Sequence, residues 1–261
     1  MFAKMISKYS LKNEVKWTLF LVVSIGLFGF ASAKHSNRIC KKVFVSITND
    51  SLYQFIGEEN IRQVLAEGAV PATAGTQVRS ISISGLERKL EQNPYLQSAD
   101  VSSDVAGNLL VAVTQKIPVA RIYNELGTDY YISDKGILFP ESGNYTARVL
   151  IIKGMPWTWQ QNRDLLATEE GKAFLDLLNT LKSNKFWEAQ ISEIQADFKG
   201  ELTLIPQIGN QTIEFGNPFN AEKKLNKLNA FYQQIVEKAG WNQYSKISVK
   251  FHNQIVCEKR S

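Results

Sequence analysis

The chain of 261 residues is poor in cysteine and histidine, with only Cys40, Cys257, His35 and His252. None has C-x-x-C or H-x-x-x-H spacing, so no recognisable zinc site can be built from them. A bridge between Cys40 and Cys257 is open in an oxidising compartment, although two bystander thiols are the simpler reading. Cys40 is not a lipoprotein cysteine, because Asn37, Arg38 and Ile39 precede it where small apolar residues are needed. The sequence also lacks a G-x-S-x-G elbow, a P-loop and a G-x-G-x-x-G turn. No catalytic residue, cofactor or metal ligand is therefore assigned. Internal repeats and low-complexity stretches are missing too. Hydrophobic residues make up 44% and charged residues 21% of the chain. That balance excludes a disordered or collagen-like chain, and the length suits one large domain or two small ones.

The charge is unevenly placed. Lysine and arginine total 30 against 25 acids, a formal net charge of +5. Residues 1–42 carry Lys4, Lys8, Lys12, Lys16, Lys34, Arg38, Lys41 and Lys42 against Glu14 alone. The remaining 219 residues thus hold 22 basic and 24 acidic groups and are slightly acidic. A nucleic-acid surface needs one sign of charge across a folded face, so that role is disfavoured.

Charge is absent from Trp17 to Ala33, a stretch bracketed by Lys16 and Lys34. Seventeen helical residues rise ~25 Å, slightly less than the ~30 Å hydrocarbon core, and flanking lysine stems make up the difference. Residues 17–33 therefore read as a short transmembrane helix behind a cytoplasmic tail at 1–16. They read equally as a signal peptide, with an apolar run from Leu19 to Phe30 and an Ala31-Ser32-Ala33 cleavage site. A buried core helix is excluded because no polar residue gives it an outer face. Basic residues flank the run evenly, so the positive-inside rule does not choose. Both readings put the chain beyond ~40 outside the cytoplasm.

The outer part divides near Pro118. Before it, alternation at 43–47 predicts a strand. A helix with Ile61, Val64 and Leu65 on its apolar face follows Glu58 and Glu59. Ser84 and Glu87 suggest a capping box opening a helix with Leu86 and Leu90 on one face, stopped at Asn93-Pro94. Strands at 97–104 and 109–115 flank the turn Ala106-Gly107-Asn108. The result is an α+β unit, two helices on a three-stranded sheet, over 43–116. One edge of that sheet is expected to accept a partner strand or to pack on its neighbour. From 117 to 258 the pattern predicts a mainly antiparallel β domain with two helices. Its strands are placed at 119–124, 129–132, 137–139, 148–153, 191–196, 201–206 and 211–215. The helices are placed at 168–184 and 220–239, the second ended by Gly240. A last strand from Lys246 to Phe251 puts Ile247, Val249 and Phe251 on one face, with a continuation toward Cys257.

Other candidates are weak. His252 lies on the polar side of the last strand and reads as a surface histidine. The pairs Glu58/Glu59 and Asp100/Asp104 match ordinary surface acids. Asn49, Asn144 and Asn210 stand in glycosylation triplets that matter only in a glycosylating host. Trp157, Trp159 and Trp187 suggest a sugar platform, although such residues more often pack a core.

The layout, together with three strings, resembles the bacterial FtsQ/DivIB family. Gly85–Val101 (GLERKLEQNPYLQSADV) is similar to the second helix of its POTRA domain and the strand after it. Val113–Ile122 (VTQKIPVARI) is similar to its domain junction, and Tyr131–Pro140 (YISDKGILFP) to a segment of its β domain. The resemblance implies a POTRA domain, then a β domain, on a retained single-pass anchor of the inner membrane. It implies a scaffold without enzymatic activity that binds FtsB and FtsL outside the cytoplasm and meets other division proteins through the POTRA domain and membrane helix. It also implies a site on the last strands, carried by Lys250, Phe251, Ile255 and Val256. Lysine departs from the family there if the contact is bidentate, since it offers a point charge. The alternative is a secreted envelope hydrolase or sugar-binding protein released by cleavage after Ala33.

Overall fold

Val43, Val45 and Ile47 alternate with more exposed residues and form β1 (Val43–Ile47). The computed structural model describes residues 17–18, 20–25, 38–68, 70–124, 127–154, 163–236 and 240–260. The chain packs as two units. The first comprises Met1–Ser46, Glu58–Lys89 and Asp100–Ala112, and the second Ile47–Gly57, Leu90–Ala99 and Val113–Ser261.

Helix α1 (Glu58–Ala66) carries two acids in its first turn, where the helix dipole favours them, and buries Ile61 and Leu65. Helix α2 (Ile83–Glu91) buries Leu86 and Leu90. Its start corrects the expected capping box. Ser82 supplies the cap, accepting from Gly85 N at 3.3 Å. Glu87 instead accepts from Val101 N at 3.0 Å, tying the helix to a strand. Strands β2 (Leu96–Ser103) and β3 (Leu109–Gln115) complete a sheet of order β1-β3-β2. Leu109, Val111 and Val113 are buried on one face, as their alternation predicts. Asp104 fixes the intervening turn by accepting from Asn108 N at 2.8 Å and Nδ2 at 2.7 Å.

The sheet of the second unit has nine strands among the described residues. They are β4 (Pro118–Tyr123), β5 (Tyr130–Ser133), β6 (Leu138–Pro140), β7 (Leu150–Lys153), β8 (Ile191–Ala196), β9 (Leu202–Pro206), β10 (Thr212–Gly216), β11 (Tyr244–Ser248) and β12 (Val256–Lys259). The sheet runs β12-β11-β10-β9-β8-β7-β4-β5-β6. Antiparallel pairs predominate, with parallel pairing at β4/β7, β7/β8 and β10/β11. Helices α3 (Glu169–Ser183) and α5 (Ala221–Phe231) bury Phe174, Leu177, Leu178, Leu225 and Leu228 in a core shared with the sheet. A π-helical turn, Tyr232–Val236, continues α5. The short α4 (Lys185–Gln190) was not expected from the sequence. Asn184 starts it by accepting from Phe186 and Trp187 N. The unit thus has three helices among the described residues rather than two.

Tyr131 and Ile132 are both fully buried on successive positions of β5, so that strand is covered on both faces. The second face packs around Phe55, whose ring lies 5.4 Å from Tyr131, 5.4 Å from Phe139 and 5.1 Å from Tyr145. Gln115, wholly buried, accepts from Phe55 N and Ile56 N and donates to Tyr53 O at 2.7 Å.

Residues 17–18 and 20–25 are helical, with Trp17, Phe20, Leu21 and Ile25 exposed. Among the described residues no helix is long and apolar enough to cross a membrane. The remainder of the expected 17–33 span, the tail at 1–16 and the Ala31-Ser32-Ala33 string lie outside the described residues.

Candidate functional site at the C-terminal hairpin

Among the described residues the nine-stranded sheet ends on β12, which pairs with β11 on one side only. Its other side presents unpaired backbone groups, the arrangement that accepts an added strand. The opposite end is β6, three residues long and finished by Pro140, which suits pairing poorly.

The expected strand through Phe251 is corrected. β11 stops at Ser248, and a loop over 249–255 leads into β12. Val249 stays buried and its N donates to Glu214 O at 3.0 Å. Beyond it the alternation fails, so Phe251 leaves the core and is 42% exposed. Lys250 is exposed, with Nζ 5.5 Å from the Phe251 ring centroid. Val256 is 43% exposed, while Ile255 packs against the core. All four residues expected at the site thus lie on one hairpin, three facing solvent and Ile255 supporting them. His252 is exposed in the same loop, as a surface histidine should be.

Two residues that position this loop carried no sequence signal. Lys227 on α5 donates to the carbonyls of Val249 at 2.9 Å, Phe251, and His252 at 3.5 Å. Partial burial lowers its pKa. Glu214 on β10 lies 3.3 Å from Lys246 and 3.4 Å from Lys250. Burial pushes its carboxyl up, but the ammonium groups of Lys246 and Lys250 beside it outweigh that and hold it below the ordinary value. Gly216 has φ +76°, and a Cβ there would meet Lys250 Cβ at 2.8 Å, so glycine lets the loop close on β10. A cleft of about 510 Å³ beside the loop is lined by Phe219, Lys223, Lys224, Lys227, Lys250 and Phe251, among others.

Other chemistry finds no support among the described residues. No group of three or more histidine, cysteine or acidic side chains is placed to hold a metal. A larger cleft of about 940 Å³ has one carboxylate in its lining, Glu188, and no histidine or cysteine. Trp187 is buried against Phe186 and Tyr232 and forms no sugar platform; Trp157 and Trp159 lie outside the described residues. Cys40 and Cys257 are both free, and burial pushes both thiols up, away from the reactive thiolate. The Asn49 side chain is spent on Gln115, donating to its O at 2.9 Å and accepting from its N at 3.0 Å.

Comparison with known proteins gives this architecture a family. A model described as FtsQ/DivIB, C-terminal related, matches residues 117–258, and a POTRA-like domain model matches 38–114. The chain is 28% identical over 178 residues to "Cell division protein FtsQ" of Rhodothermus marinus, covering 66% of this chain and 64% of that protein. The protein of the same name from Syntrophotalea carbinolica is 25% identical over 173 residues, covering 65% and 60%. One from a Geobacter strain is 25% identical over 193 residues, covering 71% and 66%. The chain thus spans less than two thirds of the length of each of these relatives. With more than half of its residues matched by the family model, the chain belongs to the FtsQ/DivIB family.

Proposed function

We propose that this protein is a non-enzymatic scaffold of the bacterial division machinery, acting at the septum and binding FtsB and FtsL through its C-terminal hairpin. In this reading residues 1–16 are a cytoplasmic tail and 17–33 a single-pass anchor in the inner membrane. A POTRA domain at 43–116 and a β domain at 117–258 then lie in the periplasm. Family membership and relatives named as cell division proteins support the general role. The observation that carries the specific site is the one-sided pairing of β12 beside exposed Phe251, Val256 and Lys250. Added-strand recognition uses such parts: main-chain hydrogen bonds for affinity, an aromatic anchor, and a charge for register. The edges of the three-stranded sheet, β1 and β2, and the membrane helix remain for other division proteins.

Depletion in a native host tests the role. Cells lacking the protein are expected to grow as filaments, rescued by the full chain but not by a chain ending at Gln254. If the shortened chain accumulates to the parent level, captures FtsB like the parent and restores division, the hairpin is not the site.

A further inference from the structure

Within the first unit the Arg38 carbonyl accepts from Val78 N at 2.9 Å. Ile39 forms an antiparallel bridge with Gln77, and Cys40 N donates to Thr76 O at 2.7 Å. Only residues 34–37 separate this anchored point from the end of the uncharged run at Ala33. Five Cα steps span at most ~18 Å, so a membrane helix ending at Ala33 holds this end of the unit close to the bilayer.

The β2–β3 turn lies at the same end. Lys41 N donates to Gly107 O at 2.9 Å, and a Cβ on Gly107 would meet Ile39 O at 3.0 Å. The turn exposes Val105 to 88%, and Ile39 beside it is 53% exposed. Among the segments that meet here, residues 38–42, 75–79 and 104–108, the bases are Arg38, Arg79, Lys41 and Lys42. The single acid there is Asp104, turned onto Asn108. Exposed apolar residues on segments rich in basic residues suit an anionic bilayer surface.

The geometry points to this end of the first unit as a membrane-docking surface. Val105 and Ile39 enter the boundary between headgroups and acyl chains, while Lys41, Lys42 and Arg38 meet anionic headgroups. Docking rests on the anchor reading given above, because the short tether is what brings the surface to the bilayer. It fixes the height of the first unit over the membrane and leaves the far end of its sheet for partners.

The full chain, in a Cys257→Ser background, is reconstituted into phosphatidylcholine vesicles with and without phosphatidylglycerol. An environment-sensitive dye is attached through Val105→Cys, or through Ser46→Cys near the other end of β1 as the control. Nitroxide-bearing lipids are expected to quench the dye at 105 several-fold more than the dye at 46, in phosphatidylglycerol vesicles. Lys41→Glu with Lys42→Glu is expected to abolish that difference. A chain that resists alkaline carbonate extraction yet shows equal quenching at both positions overturns docking and leaves the anchor standing. A chain that carbonate extracts overturns the anchor reading, and docking with it.

Discussion

At the scale of single residues, one amide organises a loop. Gln115 satisfies three backbone groups in the segment Tyr53–Ile56, and Asn49 pairs with the Gln115 main chain in the manner of a strand residue. Gln115→Ala strands those buried groups, and urea unfolding is expected to show a loss of about 3 kcal/mol. Phe55, 1% exposed and ringed by aromatics, should cost about 3–5 kcal/mol as Phe55→Ala, because little around it can collapse into the space. Glu214 makes stability depend on pH. Its folded carboxyl titrates below the ordinary value of 4.5, so its contribution is complete above that value and is lost as pH falls through the lowered one. Between about pH 6 and about pH 3 the urea midpoint should fall less steeply in Glu214→Gln than in the parent. An equal slope in both proteins removes the carboxylate from the account.

At the scale of elements, the C-terminal hairpin carries the binding claim. Phe251 lies outside the core, so Phe251→Ala should leave the melting temperature unchanged while weakening FtsB binding by about 2 kcal/mol or more. Lys250→Glu should weaken it too, and less so at high salt, because an exposed pair is screened. If Phe251→Ala melts early, the ring is structural; if both variants bind like the parent, the site is elsewhere. The strands of the second unit were legible because β-branched and aromatic residues alternate between turn residues, as at Leu202–Pro206 and Thr212–Gly216. The hairpin departs from its sequence pattern for a physical reason. The alternation Ile247, Val249, Phe251 runs on past Ser248, but Lys227 from α5 takes the carbonyls that a longer strand needs. Helix α4 carries no separate signal because Asn184 both ends one helix and caps the next. Lys227 and Glu214 reach the site across 20 to 40 residues of sequence, and no local pattern announces such contacts.

At the scale of the whole molecule, the sequence gives two kinds of information that differ in reach. Periodicity yields elements, and so an α+β chain whose first part lays two helices on a three-stranded sheet. It does not yield strand order, and the candidate site is a consequence of order: β12 matters because it ends the sheet. In the proposed reading the uncharged run of 17–33, taken with the family layout, is a retained anchor, so intact-mass measurement on membrane-extracted protein should find a chain beginning at Met1 or Phe2. A mature chain beginning at Lys34 makes the run a signal peptide. The central claim is that a division partner adds a strand to β12. Amide exchange of the full chain, with and without the extracytoplasmic segment of FtsB, addresses it most directly. The account predicts slowed exchange at 249–252 and 256–259 on binding, with smaller changes elsewhere in the sheet. Binding that leaves exchange across 249–259 unchanged would contradict it.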